Sequence, residues 1–239
     1  MPAEGAAEES PAESTPRPAG LRAQLRAQRV PLLIIGAIAL LVAGFGAGIL
    51  LAPDTADSDV SAGPVDIGFA QDMSAHHAQA VEMSGIALTG TSDTEVRRLA
   101  YDILTTQQSQ IGRMQGWLQM WDAPARATGG YMAWMPQDEH SGHGHDHGTA
   151  GMATMPGMAS TDDLRKLRAA KGPELDTLFL QLMLRHHQGG VPMLEYGIEH
   201  AETTEIRTLA GQMLPAQEGE SRLMTTMLAA RGAEPLPFN

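Results

Sequence analysis

A His-His doublet occurs twice in this chain, at His76-His77 in MSAHHAQAVEM and at His186-His187 in MLRHHQGGVPM, and its surroundings recur in fixed register. The offset is 110 residues, which takes Phe69 to Phe179, Met73 to Met183, Val81 to Val191 and Met83 to Met193. The register persists through Glu95 and Glu205, Arg97 and Arg207, Gln107 and Gln217, Met114 and Met224, and Leu118 and Leu228. A register held without a gap over such a span marks an internal repeat. It restricts the fold to two copies of one supersecondary unit and whatever joins them.

The unit reads as a helix hairpin. Residues 65–88 keep apolar or small side chains at helical spacing, TGTSDTE interrupts them, and Ser92 with Glu95 fits a capping box opening a second helix. That helix runs to about Trp121, where Asp122-Ala123-Pro124 stops it. The second copy covers 174–200 and 204–231, with Gly232 at a C-cap position, and Ser160 caps a short helix over 161–170 ahead of Gly172-Pro173. Pro192 stands where the first copy has Glu82, and Pro215 where it has Thr105, so both helices of the second copy are expected to kink. A short loop makes each pair antiparallel, and neither hairpin alone buries its apolar face. An aromatic content of only 4% suits a helical core of Leu, Ile, Met and Ala. The expected class is all-α, a four-helix bundle of two duplicated hairpins, 65–122 and 161–232, joined through 123–160 and followed by a tail, 233–239.

The N-terminal part is of another kind. Residues 1–29 are rich in Ala, Glu, Ser and Pro, end in four arginines (17, 22, 26, 29), and read as a disordered cytoplasmic tail. From Val30 to Pro53 no residue is ionisable, and about 20 such residues span a hydrocarbon core of ~30 Å. Arginines before the run and Asp54, Asp57 and Asp59 after it place the N-terminus inside and the rest of the chain outside the cell membrane. A single-pass anchor over 30–53, followed by a linker over 54–64, is the favoured reading. Secretion after signal-peptide cleavage is the alternative, weakened by the length of the run and the absence of an A-x-A site.

With no cysteine, disulfides, thiolate metal sites and cysteine nucleophiles are all excluded, and soft ligands must come from 15 methionines and 9 histidines. A formal charge of −12 argues against a nucleic-acid partner. On helices, Met73, His76, His77, Ala80 and Met83 follow steps of three and four, as do Met183, His186, His187, Gly190 and Met193. Imidazole with thioether suits Cu(I), whereas carboxylate sites would suit harder ions. Adjacent helical residues diverge by ~100°, so one member of each doublet is expected at the ion and the other at the surface or behind it. Met114 and Met224 on the partner helices are weaker candidates, because a straight pair would hold them at another height. In the connection, His140, His143, His145 and His147 beside several methionines could hold Cu(II) or Zn(II) loosely, or form a plain flexible linker. A Met at helical spacing is more often core filler, and a buried His is commonly satisfied by hydrogen bonds alone. There is no Glu-x-x-His pair at the doublets, no His-Glu-x-x-His, no P-loop and no nucleophile elbow, which leaves enzymatic chemistry without a visible motif.

The stretches DMSAHHAQAVEM, EVRRLAYDILTTQQSQIGRMQGWL, MPGMAS and FLQLMLRHHQGGVPMLEYG together resemble the DUF305 family over about 64–122 and 155–231. The resemblance implies a ferritin-like four-helix bundle and, in part of the family, copper binding outside the cytoplasm. Carried over, the ligands fall on Met73, His76, His77 and Met83, and on Met183, His186, His187 and Met193. Pro192 and Pro215 depart from the first copy, so the two sites are expected to be unequal. The expected role is copper buffering or tolerance. Alternatives are a structural or partner-docking helical bundle without metal and a copper-dependent oxidoreductase, and a homo-oligomer is among the expected assemblies.

Overall fold

The structure, a computed structural model, describes residues 20, 29–51, 61–136 and 151–238. Among the described residues it is all-helical, with six helices and a single isolated β-bridge between Tyr131 and Met152. The helices are α1 (Arg29–Leu51), α2 (Pro64–Gly90), α3 (Thr94–Met120), α4 (Thr161–Ala169), α5 (Gly172–His200) and α6 (Thr204–Ala230). The described side chains of α1 run from 33 to 45, and among the described residues no helix is long and apolar enough to cross a membrane.

The two expected hairpins are present: α2 packs on α3, α5 packs on α6, and the pairs meet through α2 and α5. These inner helices are antiparallel, since Phe69 near the start of α2 lies against Gly197 near the end of α5, and Gly90 lies against Leu175. The same contact closes both ends. Asp66 in the first turn of α2 accepts hydrogen bonds from the backbone and hydroxyl of Thr203 (2.9 and 2.5 Å) and from Glu202 N (3.1 Å). Its counterpart at the 110-residue offset, Asp176, accepts from the Thr91 hydroxyl at 2.5 Å. Each hairpin thus buckles onto the loop of the other.

Two expectations need correction. Asp93, not Ser92, caps α3: its carboxylate accepts from the amides of Glu95 (2.8 Å) and Val96 (3.2 Å), and a carboxylate is the stronger acceptor for orphan amides beside a helix dipole. The described flanks of the 123–160 connection are not a loose linker. Asp72 accepts from Met132 N (2.6 Å) and Trp134 Nε1 (2.8 Å), and the Gln79 amide pairs both ways with the Ala159 backbone (2.7 and 2.9 Å). Side chains on α2, Asp72 buried and Gln79 half-buried, thereby supply the backbone pairing that the segment's sequence cannot supply for itself. α5 and α6 continue through Pro192 and Pro215, each as one helix.

Candidate metal centre

The antiparallel crossing of α2 and α5 brings the two doublets together at mid-helix. The rings of His76 and His186 face each other with centroids 3.7 Å apart and planes 32° from parallel. Within each doublet the rings lie farther apart, 6.5 Å for His76 and His77 and 6.3 Å for His186 and His187. All four are buried, at no more than 1% exposure, so neither doublet sends a member to the surface. The reason is the position of α2 and α5 as inner helices. With ~100° between successive residues, His76 and His186 face across the α2–α5 seam, while His77 and His187 face the outer helix of their own hairpin. There His77 Nε2 meets Gln110 Oε1 on α3 at 2.8 Å, and His187 Nε2 meets Glu220 Oε2 on α6 at 2.6 Å.

These partners fix where the protons sit. A carboxylate and a carbonyl oxygen only accept, so His187 donates from Nε2 to Glu220, and His186 donates from Nε2 to the His76 carbonyl at 3.0 Å. With Gln110 presenting its oxygen, His77 also donates from Nε2. In a neutral imidazole that leaves Nδ1 as the lone pair. Nδ1 of His77, Nδ1 of His187 and both ring nitrogens of His76 are buried without a hydrogen-bond partner. The Pro156 carbonyl lies against His76, but no bond of normal geometry reaches its ring nitrogens. The Oε1 atoms of Gln107 and Gln217, a matched pair at the same offset, are also unpartnered, and Gln217 with His76 flanks the bare Cα of Gly190. Such atoms are few in native interiors, and this many near one place asks for an occupant that accepts lone pairs.

At His76, His77 and His186 protonation does not compete for the lone pairs. Burial, reinforced by His77 and His187, pushes His76 down to about 3. Burial brings His77 to about 4 against the raising effect of Gln110. His186 is held well below the usual histidine range by burial and by His76, His187 and His77. An array of neutral nitrogens in an apolar core is the protonation state that a metal requires.

The six candidate methionines are all fully buried and fall into two groups. Met73, Met114 and Met193 share one apolar cluster, and Met83, Met183 and Met224 share the other. The antiparallel seam therefore pairs Met73 with the second repeat's Met193, and Met83 with Met183. Met114 and Met224 enter these groups, so the expected mismatch in height does not separate them. Among the described residues no three His, Asp or Glu side chains are placed to hold a metal ion. His140, His143, His145 and His147 lie outside the described residues.

Sequence reasoning missed Gln110 and Glu220, although their match at the 110-residue offset was a readable signal. It also missed the role of Met155-Pro156-Gly157-Met158. In that segment Gly157 takes φ +75°, and its Cα packs on the Cα of Gly189, so that a side chain at Gly189 would run into the Pro156 carbonyl. The segment is a cap laid on the second repeat beside His76. A cavity of about 820 Å³ lies elsewhere, between α2, α3 and residues 125–131, with Asp72 in its wall and none of the four histidines.

No curated protein matches the chain. Among solved structures, it is similar to a DUF305 protein from Streptomyces coelicolor, with 42% identity and a TM-score of 0.64 over 75% of this chain and 99% of that one. A DUF305 fragment from Deinococcus radiodurans follows, at 31% identity and a TM-score of 0.57 over 71% and 98%. CopM in a Cu(II)-bound form is also similar, at 26% identity and a TM-score of 0.52 over 69% and 96%. The family described as "Domain of unknown function (DUF305)" matches residues 66–228, a span that opens at the Asp66 buckle and closes at Leu228 with both doublets inside it. The paired hairpins and their buried imidazoles are thus those of a DUF305 protein, and the chain belongs to that family.

Proposed function

We propose that this protein binds copper outside the cytoplasm and buffers it there, held to the membrane by α1. The observation that carries the reading is the set of four buried imidazoles, of which His76, His77 and His187 leave Nδ1 unpartnered, on helices that also carry fully buried methionines. His77 and His187, which donate from Nε2 to an acceptor on the neighbouring helix, have the arrangement typical of metal-ligating histidine. Thioether and imidazole without thiolate suit Cu(I) and survive in an oxidising compartment that would consume cysteine. A Cu(II)-bound form of the relative CopM adds support. The ligand set proposed is His76, His77, His186 and His187 with Met73, Met83, Met183 and Met193, and Met114 and Met224 behind them, on a ferritin-like four-helix bundle. The bound ion would supply Lewis acidity and an accessible one-electron couple. The residues supply neutral nitrogen, sulfur and the exclusion of water.

The test is titration of the full-length protein in detergent with Cu(I) under a competing chelator. Tight binding is expected, weakened by more than about tenfold in the His76→Ala, His77→Ala double variant. Unchanged affinity and stoichiometry in that variant would remove the doublets from the site. Parallel titrations with Cu(II) and Zn(II), with and without residues 137–150, assign any ions held by the His140–His147 tract. Retention of the chain in carbonate-washed membranes tests the anchor, and its release would favour the secreted alternative.

A second reading, a metal-free bundle that docks a partner, draws on the absence among the described residues of any three-residue His, Asp or Glu set suited to a metal. It predicts no bound copper after purification with copper supplied.

A further inference from the structure

The two repeats do not offer a metal the same imidazole. His77 and His187 occupy matching positions, and each reaches a residue 33 positions downstream on the outer helix of its own hairpin. Each presents Nδ1 to the core with no partner. The geometry is repeated, but the chemistry is not: the acceptor is the neutral Gln110 in the first repeat and the carboxylate Glu220 in the second. The carboxylate contact is also the shorter, 2.6 Å against 2.8 Å, as charge-assisted bonds are.

We propose that Glu220 makes the second repeat the copper(II) side of the centre, acting through its hydrogen bond to His187, while Gln110 leaves the first repeat suited to copper(I). The inference rests on the copper reading above. Two effects act in the same direction. A hydrogen bond from Nε2–H to a carboxylate raises the donor strength of Nδ1, and nitrogen donation matters more to Cu(II) than to the softer Cu(I). The negative charge, one imidazole away from the ion, also attracts a dication twice as strongly as a monocation. Glu220 remains 24% exposed, so part of this field is screened, but His187 is fully buried, and an ion on its Nδ1 would have the ring between it and the carboxylate. Gln110 provides the same orientation without the charge. Glu220 is thus a positioning and tuning residue rather than a ligand.

The experiment measures Cu(I) and Cu(II) affinities of the full-length protein in detergent for the wild type, for Glu220→Gln and for the reciprocal Gln110→Glu. In Glu220→Gln the ratio of Cu(II) to Cu(I) affinity is expected to fall about tenfold, equivalent to a rise of ~59 mV in the potential of the bound couple. In Gln110→Glu the ratio is expected to rise. A merely structural role for Glu220 would weaken both oxidation states together and leave the potential in place. An unchanged ratio in Glu220→Gln, or a parallel loss of both ions, overturns the inference. Where Glu220→Gln fails to fold, Gln110→Glu decides alone by the direction of its shift. Wild-type protein that takes up no copper overturns the copper reading itself, a result distinct from bound copper with an unmoved ratio.

Discussion

His76, His77 and His186 are enclosed in a helical core that holds them neutral, and this gives the metal-free protein a steep dependence on acid. The unfolded chain takes up protons on His76, His77 and His186 as pH falls through the ordinary histidine value of 6.5, while the folded chain resists until about 3 for His76 and about 4 for His77. A group whose folded pKa is depressed in this way withdraws stability as pH drops below its unfolded value. By pH 5 His76 and His77 each cost about 2 kcal/mol, and His186 adds a loss in the same direction, together a large share of the roughly 5–15 kcal/mol that holds a typical domain together. Burial raises Asp72, which acts in the opposite direction. Urea midpoints of the apo protein should therefore collapse between pH 6.5 and pH 5, and His76→Gln should flatten the slope. A midpoint constant over that range would mean that these histidines are not buried neutral.

At the scale of elements, the inner helices are tied to the opposite hairpin by Asp66 and Asp176, and the ties are unequal. Asp66 accepts from Gly63 N, Glu202 N, Thr203 N and the Thr203 hydroxyl, whereas the one bond found for Asp176 comes from Thr91. Removing a buried carboxylate strands every donor aimed at it. Asp66→Ala should cost about 3–4 kcal/mol in urea unfolding and Asp176→Ala about half as much. Equal losses would show that the ties do not carry the difference. The helices themselves were legible because a fixed register and helical spacing are one-dimensional signals. Asp93 over Ser92 was not, because the choice was also made in space, by the Asp93 carboxylate pairing at 2.5 Å with Arg231 of the other repeat. The prolines do not end their helices, and the reason is again packing in space. Pro192 removes one amide from α5, yet Met193 and Leu194 beyond it are fully buried, and packing on both sides carries the helix through.

For the whole molecule, the repeat predicts two alike halves, and the halves differ chiefly through the segment that joins them. The doublets and methionines could be named from sequence because they recur. The cap over His76 could not, since Met155-Pro156-Gly157-Met158 has no counterpart at the offset and its place depends on a backbone approach. That approach is close: the Cα of Gly157 lies 2.7 Å from where a Cβ on Gly189 would stand, and the Pro156 carbonyl lies nearer still. Gly189 corresponds to Gln79 in the first repeat, and Gln79 itself grips the same segment through Ala159. One position of the repeat therefore does opposite things in its two copies, making room for the segment on α5 and fastening it on α2. Gly189→Ala should then lift the cap without disturbing the helix, since alanine is the better helix former by roughly 1 kcal/mol. The expected result is faster backbone hydrogen exchange over 151–159 and faster copper exchange, with the helical circular dichroism retained. Unchanged exchange over 151–159 in that variant would mean that the segment does not rest on Gly189, and the asymmetry of the two halves would then have to come from Glu220 against Gln110, the unequal aspartate ties and the prolines of the second copy.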